Sequence, residues 1–410
     1  MWENTQAEKL ESQVLDARKR VLGVEHPDTI GAMGNLASTY RYLGKYAEAE
    51  KLEIQVLDAR KRILGLEHPD TIGAMGNLAS TYRYLGKYAK SEKLEIQVLD
   101  ARERVLGVEH PDTMRAMENI AATFSNVGKF TEAEKLNIKV LDARNRILGV
   151  EHPDTILAME NLASAYRNLG KYTEAKKLDM QVLDARKRIL GAEHPDTIFS
   201  MANLAVSYYC LGKYTMSEKL EIQVLDARER ILGVEHPDTI LAMANLATTY
   251  YIMGKCTEAE KLNIKVLDAG KRILEVEHPD TILSMGNLAV TCYQLGKYTE
   301  AEKLGIQILD AEERILGVEH LDTMRSMANL AATYHCLRKY PEAEKLNIKV
   351  LDARKRILGV EHPDTILAME YLASTYYSLG NTQRQRNWRS KFWLQGREFL
   401  EWNIQTQSLP

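Results

Sequence analysis

The chain has little of what staples a small secreted domain. Four cysteines (Cys210, Cys256, Cys292, Cys336) stand among 410 residues with no CxxC pair, which excludes a disulfide framework and fits a reducing compartment. Net charge is nearly absent: 54 Lys and Arg against 57 Asp and Glu give −3. With the two signs interspersed, the chain lacks the basic stripe that nucleic acid or an anionic membrane requires. Long apolar runs are missing too. The longest uncharged stretches, such as 239–254, reach 16 residues and carry Asn, Thr and Tyr, short of the roughly 20 apolar residues of a membrane span. The opening MWENTQAEKLE is polar and acidic, unlike a signal peptide. The expectation is a soluble, cytoplasmic protein without nucleic-acid partner or membrane span. Its 45% hydrophobic residues are ample for a core.

What the chain does have is one period. His-Pro-Asp-Thr begins at His26 and returns at His68, His110, His152, His194, His236, His278 and His362; His320 keeps the register with Leu321 in place of Pro. Self-similarity at a fixed period, here 42 residues, marks a solenoid. Residues 26–47 and 68–89 are identical over 22 positions, the trace of a duplication.

Each copy reads as two helices. Pro69, Asp70 and Thr71 give a helix start, because proline suits the first turn and an acid favours the positive end of the dipole. Met75, Leu78, Ala79, Tyr82 and Leu85 follow at spacings of three and four, one apolar face. Gly86 ends this helix in a left-handed conformation. A second helix starts near Tyr88, carries Leu94, Val98, Leu99, Val105 and Leu106, and stops at Gly107. Ile96 adds a second apolar edge, as a helix needs when it packs on its partner and on the next copy. The prediction is an all-α solenoid of antiparallel helix pairs. It comprises a partial first copy over 1–25, an array over 26–380, and a divergent capping helix and tail over 381–410 with Trp388, Phe392, Trp393, Phe399 and Leu400 in the apolar slots.

Met33-x2-Leu36-Ala37-x2-Tyr40 followed by Gly44-Lys45-Tyr46-x-Glu48-Ala49 resembles the tetratricopeptide repeat (TPR). The proline that closes the usual 34-residue unit comes eight residues late, at Pro69, so the second helix is about two turns longer. The layout is similar to the 42-residue TPRs of kinesin light chains, and to arrays that follow nucleotide-binding domains in fungal immune-receptor-like proteins. The resemblance implies a right-handed superhelix with a peptide-binding inner groove. It implies a protein-binding scaffold, with two alternatives: the ligand-sensing part of a signalling NTPase, or a cargo adaptor of kinesin light chain type.

Several patterns bear on chemistry. The Glu-His-Pro-Asp cluster offers acid, base and ligand atoms. It recurs in every copy, however, with one imidazole each, too few for a zinc shell, so a helix-start role is expected. Acidic starts and basic ends of the second helices (Glu48, Glu50; Arg60, Lys61, Arg62) complement the helix dipole. The Met33, Met75 … Met369 series is core packing. Every Gly-Lys pair is followed by Tyr, Phe, Cys or Arg, never Ser or Thr, so no P-loop stands in these residues. No enzyme activity, metal or cofactor is expected.

Asn35, Asn77, Asn119, Asn161, Asn203, Asn245, Asn287 and Asn329 share one slot. In the resembled family this slot faces the groove and its amides bind a peptide backbone; the alternative is bridging between helices. A nearby slot reads Arg41, Arg83, Ser125, Arg167, Tyr209, Tyr251, Tyr293, His335 and Tyr377. Its variation suggests exposure, hence a groove that is basic in its first half and aromatic in its second. The expected partner is a protein or extended peptide, acidic with an apolar anchor. Replacement of Tyr, Arg and Gly by Cys256, Gly270 and Glu275 marks 256–280 as a weak joint.

Overall fold

A computed structural model describes residues 2–380, with side chains from residue 6 onward. The expected C-terminal capping segment lies outside the described residues. Within them are eighteen helices and no strand. The helix Trp2–Leu22, packed on the helix that follows it, precedes eight pairs and one more helix, Pro363–Ser378. The first helix of each pair has 16 residues, as in Pro69–Tyr84. The second has 19, as in Tyr88–Leu106, or 18 in two copies. The chain divides at Lys213/Tyr214 into two compact units, each a stack of consecutive packed helices. The unbroken 42-residue period gives no hint of that division.

The recurring histidine starts every pair. In all nine copies Nδ1 accepts the backbone N–H of the aspartate two residues on, at 3.1–3.2 Å. It thereby satisfies one of the donors a helix N-terminus leaves unpaired. His320 caps in the same way although Leu321 replaces proline, so the imidazole rather than the proline defines the start.

Both stops are glycines at positive φ. Gly86 closes the first helix at φ +70. Gly107 closes the second with φ 85 and ψ 163, an extended conformation essentially confined to glycine. Where Glu275 takes that place, the helix ends at Ile273 and the chain leaves through Leu274 at φ −113. Arg338 stands in the slot of Gly86 and is the one non-glycine at positive φ among the described residues, at 59°.

All nine methionines of the periodic slot are buried, beside Leu36, Leu78 and Ile120 from the first helices and Val56, Val98 and Val140 from the second. The charged helix ends do more than complement dipoles. Lys87 pairs with Glu50 and Arg104 with Glu67, each across 37 residues, so the exposed rim carries a ladder between copies.

Candidate functional site

Three slots set the surface between neighbouring first helices. The residue before the asparagine reads Gly34, Gly76, Glu118, Glu160, Ala202, Ala244, Gly286 and Ala328. Behind it the second helix supplies Arg60, Arg102, Arg144, Arg186, Arg228, then Gly270, Glu312 and Arg354. Where glycine holds the first slot, a cleft opens. Its volume is 170 Å³ at Gly34, 370 Å³ at Gly76 and 160 Å³ at Gly286. A Cβ on any of these glycines would meet nothing within 4 Å.

The asparagines fall on this surface. Asn35, Asn77, Asn287 and Asn329 are exposed, and Asn119, Asn161, Asn203 and Asn245 are half-buried. Asn35 and Asn77 line the first cleft, Asn77 and Asn119 the second, and Asn329 the third. Asn161 also bridges helices, its amide donating to Glu118 at 3.4 Å.

The arginines expected as exposed groove cations are instead half-buried and paired. Arg41 meets Glu53 at 3.3 Å. Arg83 meets Glu95 at 3.6 Å and donates to the Asn119 carbonyl at 2.9 Å. Arg167 meets Asp179 at 2.7 Å. The reason is compensation: where the slot is arginine, the residue twelve positions on is an acid, and where it is Ser125, Tyr251 or His335 that residue is an asparagine; after Tyr209 it is Glu221, which accepts from Ser217 and Thr249 instead, and after Tyr293 it is Gly305. These acids are buried among the packed helices. Burial pushes Glu53 up, opposed by Thr81 and Arg41. Burial lifts Glu95 to about 6 against Thr123, Arg83 and Ser91.

Of the aromatic half, Tyr209, Tyr251 and Tyr293 are half-buried. Tyr251 accepts from Gln294 at 3.3 Å. Tyr293 lines the third cleft, and its hydroxyl lies 3.3 Å from Cys336 Sγ. That bond, with burial, pushes the phenol up to about 12. This cleft has no cation behind it, since Glu312 occupies the arginine slot. Its walls are mostly small and apolar, among them Ala289, Val290 and Ile308.

Sequence reasoning missed Arg60 and Arg102. Both line the clefts of the first unit, although their place at a helix C-terminus suggests only a dipole complement. The signal is in the register of the first four of these copies: Arg60, Arg102, Arg144 and Arg186 stay constant while the residue facing them changes from glycine to glutamate.

Among the described residues no group of three or more His, Cys, Asp and Glu is placed to hold a metal ion, and no helix is long and apolar enough to cross a membrane. The geometry defines a helical-hairpin repeat protein whose first helices border clefts at Gly34, Gly76 and Gly286 beside a core that recurs from copy to copy. Nine overlapping segments, from 3–62 to 322–384, match the tetratricopeptide repeat family, and the chain belongs to it. No curated protein matches in sequence. Among solved structures, a Pyrococcus horikoshii signal-transduction ATPase with a TPR sensor is similar at 16% identity and TM-score 0.64, over 95% of this chain and 56% of that one. The apo quorum sensor NprR of B. thuringiensis is similar at 16% identity and TM-score 0.57, over 86% and 94%. A Podosopora anserina protein of nearly identical TPR-like repeats, described as a kinesin light chain, shares 28% identity over 50% of this chain and 97% of its own, with TM-score 0.46.

Proposed function

We propose that the chain is a non-catalytic binding array that takes a protein segment or extended peptide along the first-helix surface, with the asparagine ladder as its main-chain contact. The observation that carries this reading is the coincidence of asparagines with open clefts: Asn35, Asn77, Asn119 and Asn329 border spaces that the chain's own side chains leave empty. A carboxamide donates and accepts at once, which suits an extended backbone whatever its side chains. The copies preserve their core and spend their variation at this surface, the pattern of an array built for recognition.

Affinity capture from native lysate tests it, using the full chain beside a variant with Asn35, Asn77 and Asn119 changed to Ala, both shown folded by circular dichroism. Partners retained by the parent and lost from the variant are the expected result. Partners retained equally by both would move the function off this surface.

A further inference from the structure

The clefts at Gly34 and Gly76 carry glycine where the next two copies carry Glu118 and Glu160, with the arginine behind kept, and that difference shows what fits them. In the copy beginning at His110, Glu118 receives a two-pronged clasp from Arg144, Nη1 to Oε1 at 2.7 Å and Nη2 to Oε2 at 2.9 Å. The Asn161 amide adds a contact at 3.4 Å. Arg144 Nη1 also donates to the Asp154 carbonyl at 2.8 Å, which holds the guanidinium in place. Glu160 and Arg186 repeat the arrangement at 2.9 Å, with Ser200 donating at 3.5 Å.

Shifting the first set back by one period puts Gly76 for Glu118, Arg102 for Arg144, Asp112 for Asp154 and Asn119 for Asn161. Two periods back give Gly34, Arg60, Asp70 and Asn77. The anchoring bond survives in both: Arg102 donates to the Asp112 carbonyl at 2.8 Å and Arg60 to the Asp70 carbonyl at 2.9 Å. The clasped carboxylate does not survive. Neither arginine makes an ion pair among the described residues. The acids that share these clefts, Glu53 and Glu95, face Arg41 and Arg83. Burial, opposed by Asp112 and aided by Arg115, holds the Arg102 guanidinium below its ordinary range.

We propose that the clefts at Gly34 and Gly76 are carboxylate sites, each taking an acidic side chain of an extended peptide where later copies carry their own glutamate. This inference rests on the groove reading above and gives it a ligand chemistry. An arginine fork already oriented by one bond is well matched to a two-oxygen acceptor. The sites are one copy apart, on the order of 10 Å for packed helices. An extended chain advances about 3.3 Å per residue, so the two acids are spaced about three residues apart. The cleft at Gly286 supplies an internal control. It has the glycine but carries Glu312 in the arginine slot, and it takes no carboxylate.

The test is an NMR titration of the full chain with Ac-Gly-Glu-Gly-Gly-Glu-Gly-NH2 and with its Gln counterpart. The Glu peptide is expected to shift the amides of Gly34, Gly76, Asn77 and Asn119 saturably, with at least tenfold tighter binding than the Gln peptide. Gly34→Glu with Gly76→Glu, which supplies the carboxylates internally, is expected to abolish that binding, as is Arg60→Met with Arg102→Met. Gly286→Glu is expected to leave it unchanged. Equal shifts of these amides by both peptides would overturn the carboxylate sites and leave the groove standing. Shifts confined to the second helices would overturn both, and tight binding by the glycine-to-glutamate variant would overturn the carboxylate sites alone.

Discussion

The two units share a period, a core and a capping scheme, yet they satisfy their buried polar positions by different chemistry. In the N-terminal unit the position behind the first helices holds acids paired with arginine in three copies, Glu53 with Arg41, Glu95 with Arg83 and Asp179 with Arg167, and Asn137 in the copy between them. In the C-terminal unit hydroxyls meet that position instead, Ser217 and Thr249 donating to Glu221 at 3.1 and 3.0 Å and Asn263 and Asn347 donating to Thr291 and Thr375 at 3.1 Å, and Tyr293 and His335 contact Cys336 and Ser378. The arginine that ties a second helix to the next copy's aspartate carbonyl is present up to Arg228 and then missing at Gly270 and Glu312. Fold and surface chemistry are thus separable. Methionine, leucine, alanine and valine slots hold the helices together, while a few polar slots per copy decide how charged, how pH-sensitive and how open each joint is.

Breaking the charged joints should have the largest effect. Arg144→Met leaves the Glu118 carboxylate without its clasp in a site where the two side chains are 13% and 8% exposed. Removing one partner of a buried pair costs about 3–5 kcal/mol. Arg354, which donates to the Asp364 carbonyl at 2.8 Å, should cost about 1 kcal/mol as Met. Urea unfolding followed by hydrogen exchange compares the two directly, and equal losses would erase the distinction between the units.

The pH response is the next largest. Folded Glu95 keeps its proton up to about 6 against an ordinary 4.5. The folded chain therefore binds more protons between those values than the unfolded chain. Stability from this group is greatest on the acid side and declines as pH rises through about 4.5 to 6, by on the order of 2 kcal/mol. Exchange near Glu95 in the parent, compared with Glu95→Gln across that window, should show the decline in the parent alone. Parallel profiles would contradict it.

Restoring the missing clip should sharpen the contrast from the other side. Gly270→Arg adds helix propensity and a donor for the Asp280 carbonyl, while its Cβ would sit 3.4 Å from Thr281 Oγ1. A gain of about 1–2 kcal/mol is expected, seen as slower amide exchange over 256–280, which in the parent should exchange faster than neighbouring copies. The smallest effect belongs to Arg338→Gly. It relieves a left-handed residue and should stabilise by about 1 kcal/mol, read as a rise in thermal midpoint.

Much of this was legible in the sequence because a repeat states its rules many times. The histidine caps, the glycine stops, the methionine slot and the helix pairing of TPR type all follow from register. The binding surface was only half legible. Variation at Arg41, Arg83 and Arg167 suggested exposure, but buried pairs vary too when both partners change together, and the partners lie twelve residues away on another helix. Arg60 and Arg102 were hidden by the opposite effect. A residue present in nearly every copy looks structural, and its consequence depends on Gly76 standing where Glu118 stands one copy later.

The central claim, that ligands occupy the first-helix surface, is tested most directly by a hydrogen-exchange footprint of the full chain with and without its captured partner. The prediction is added protection over 31–38, 73–80 and 115–122, with the exposed faces of the second helices unchanged. Protection confined to the second helices would contradict the account.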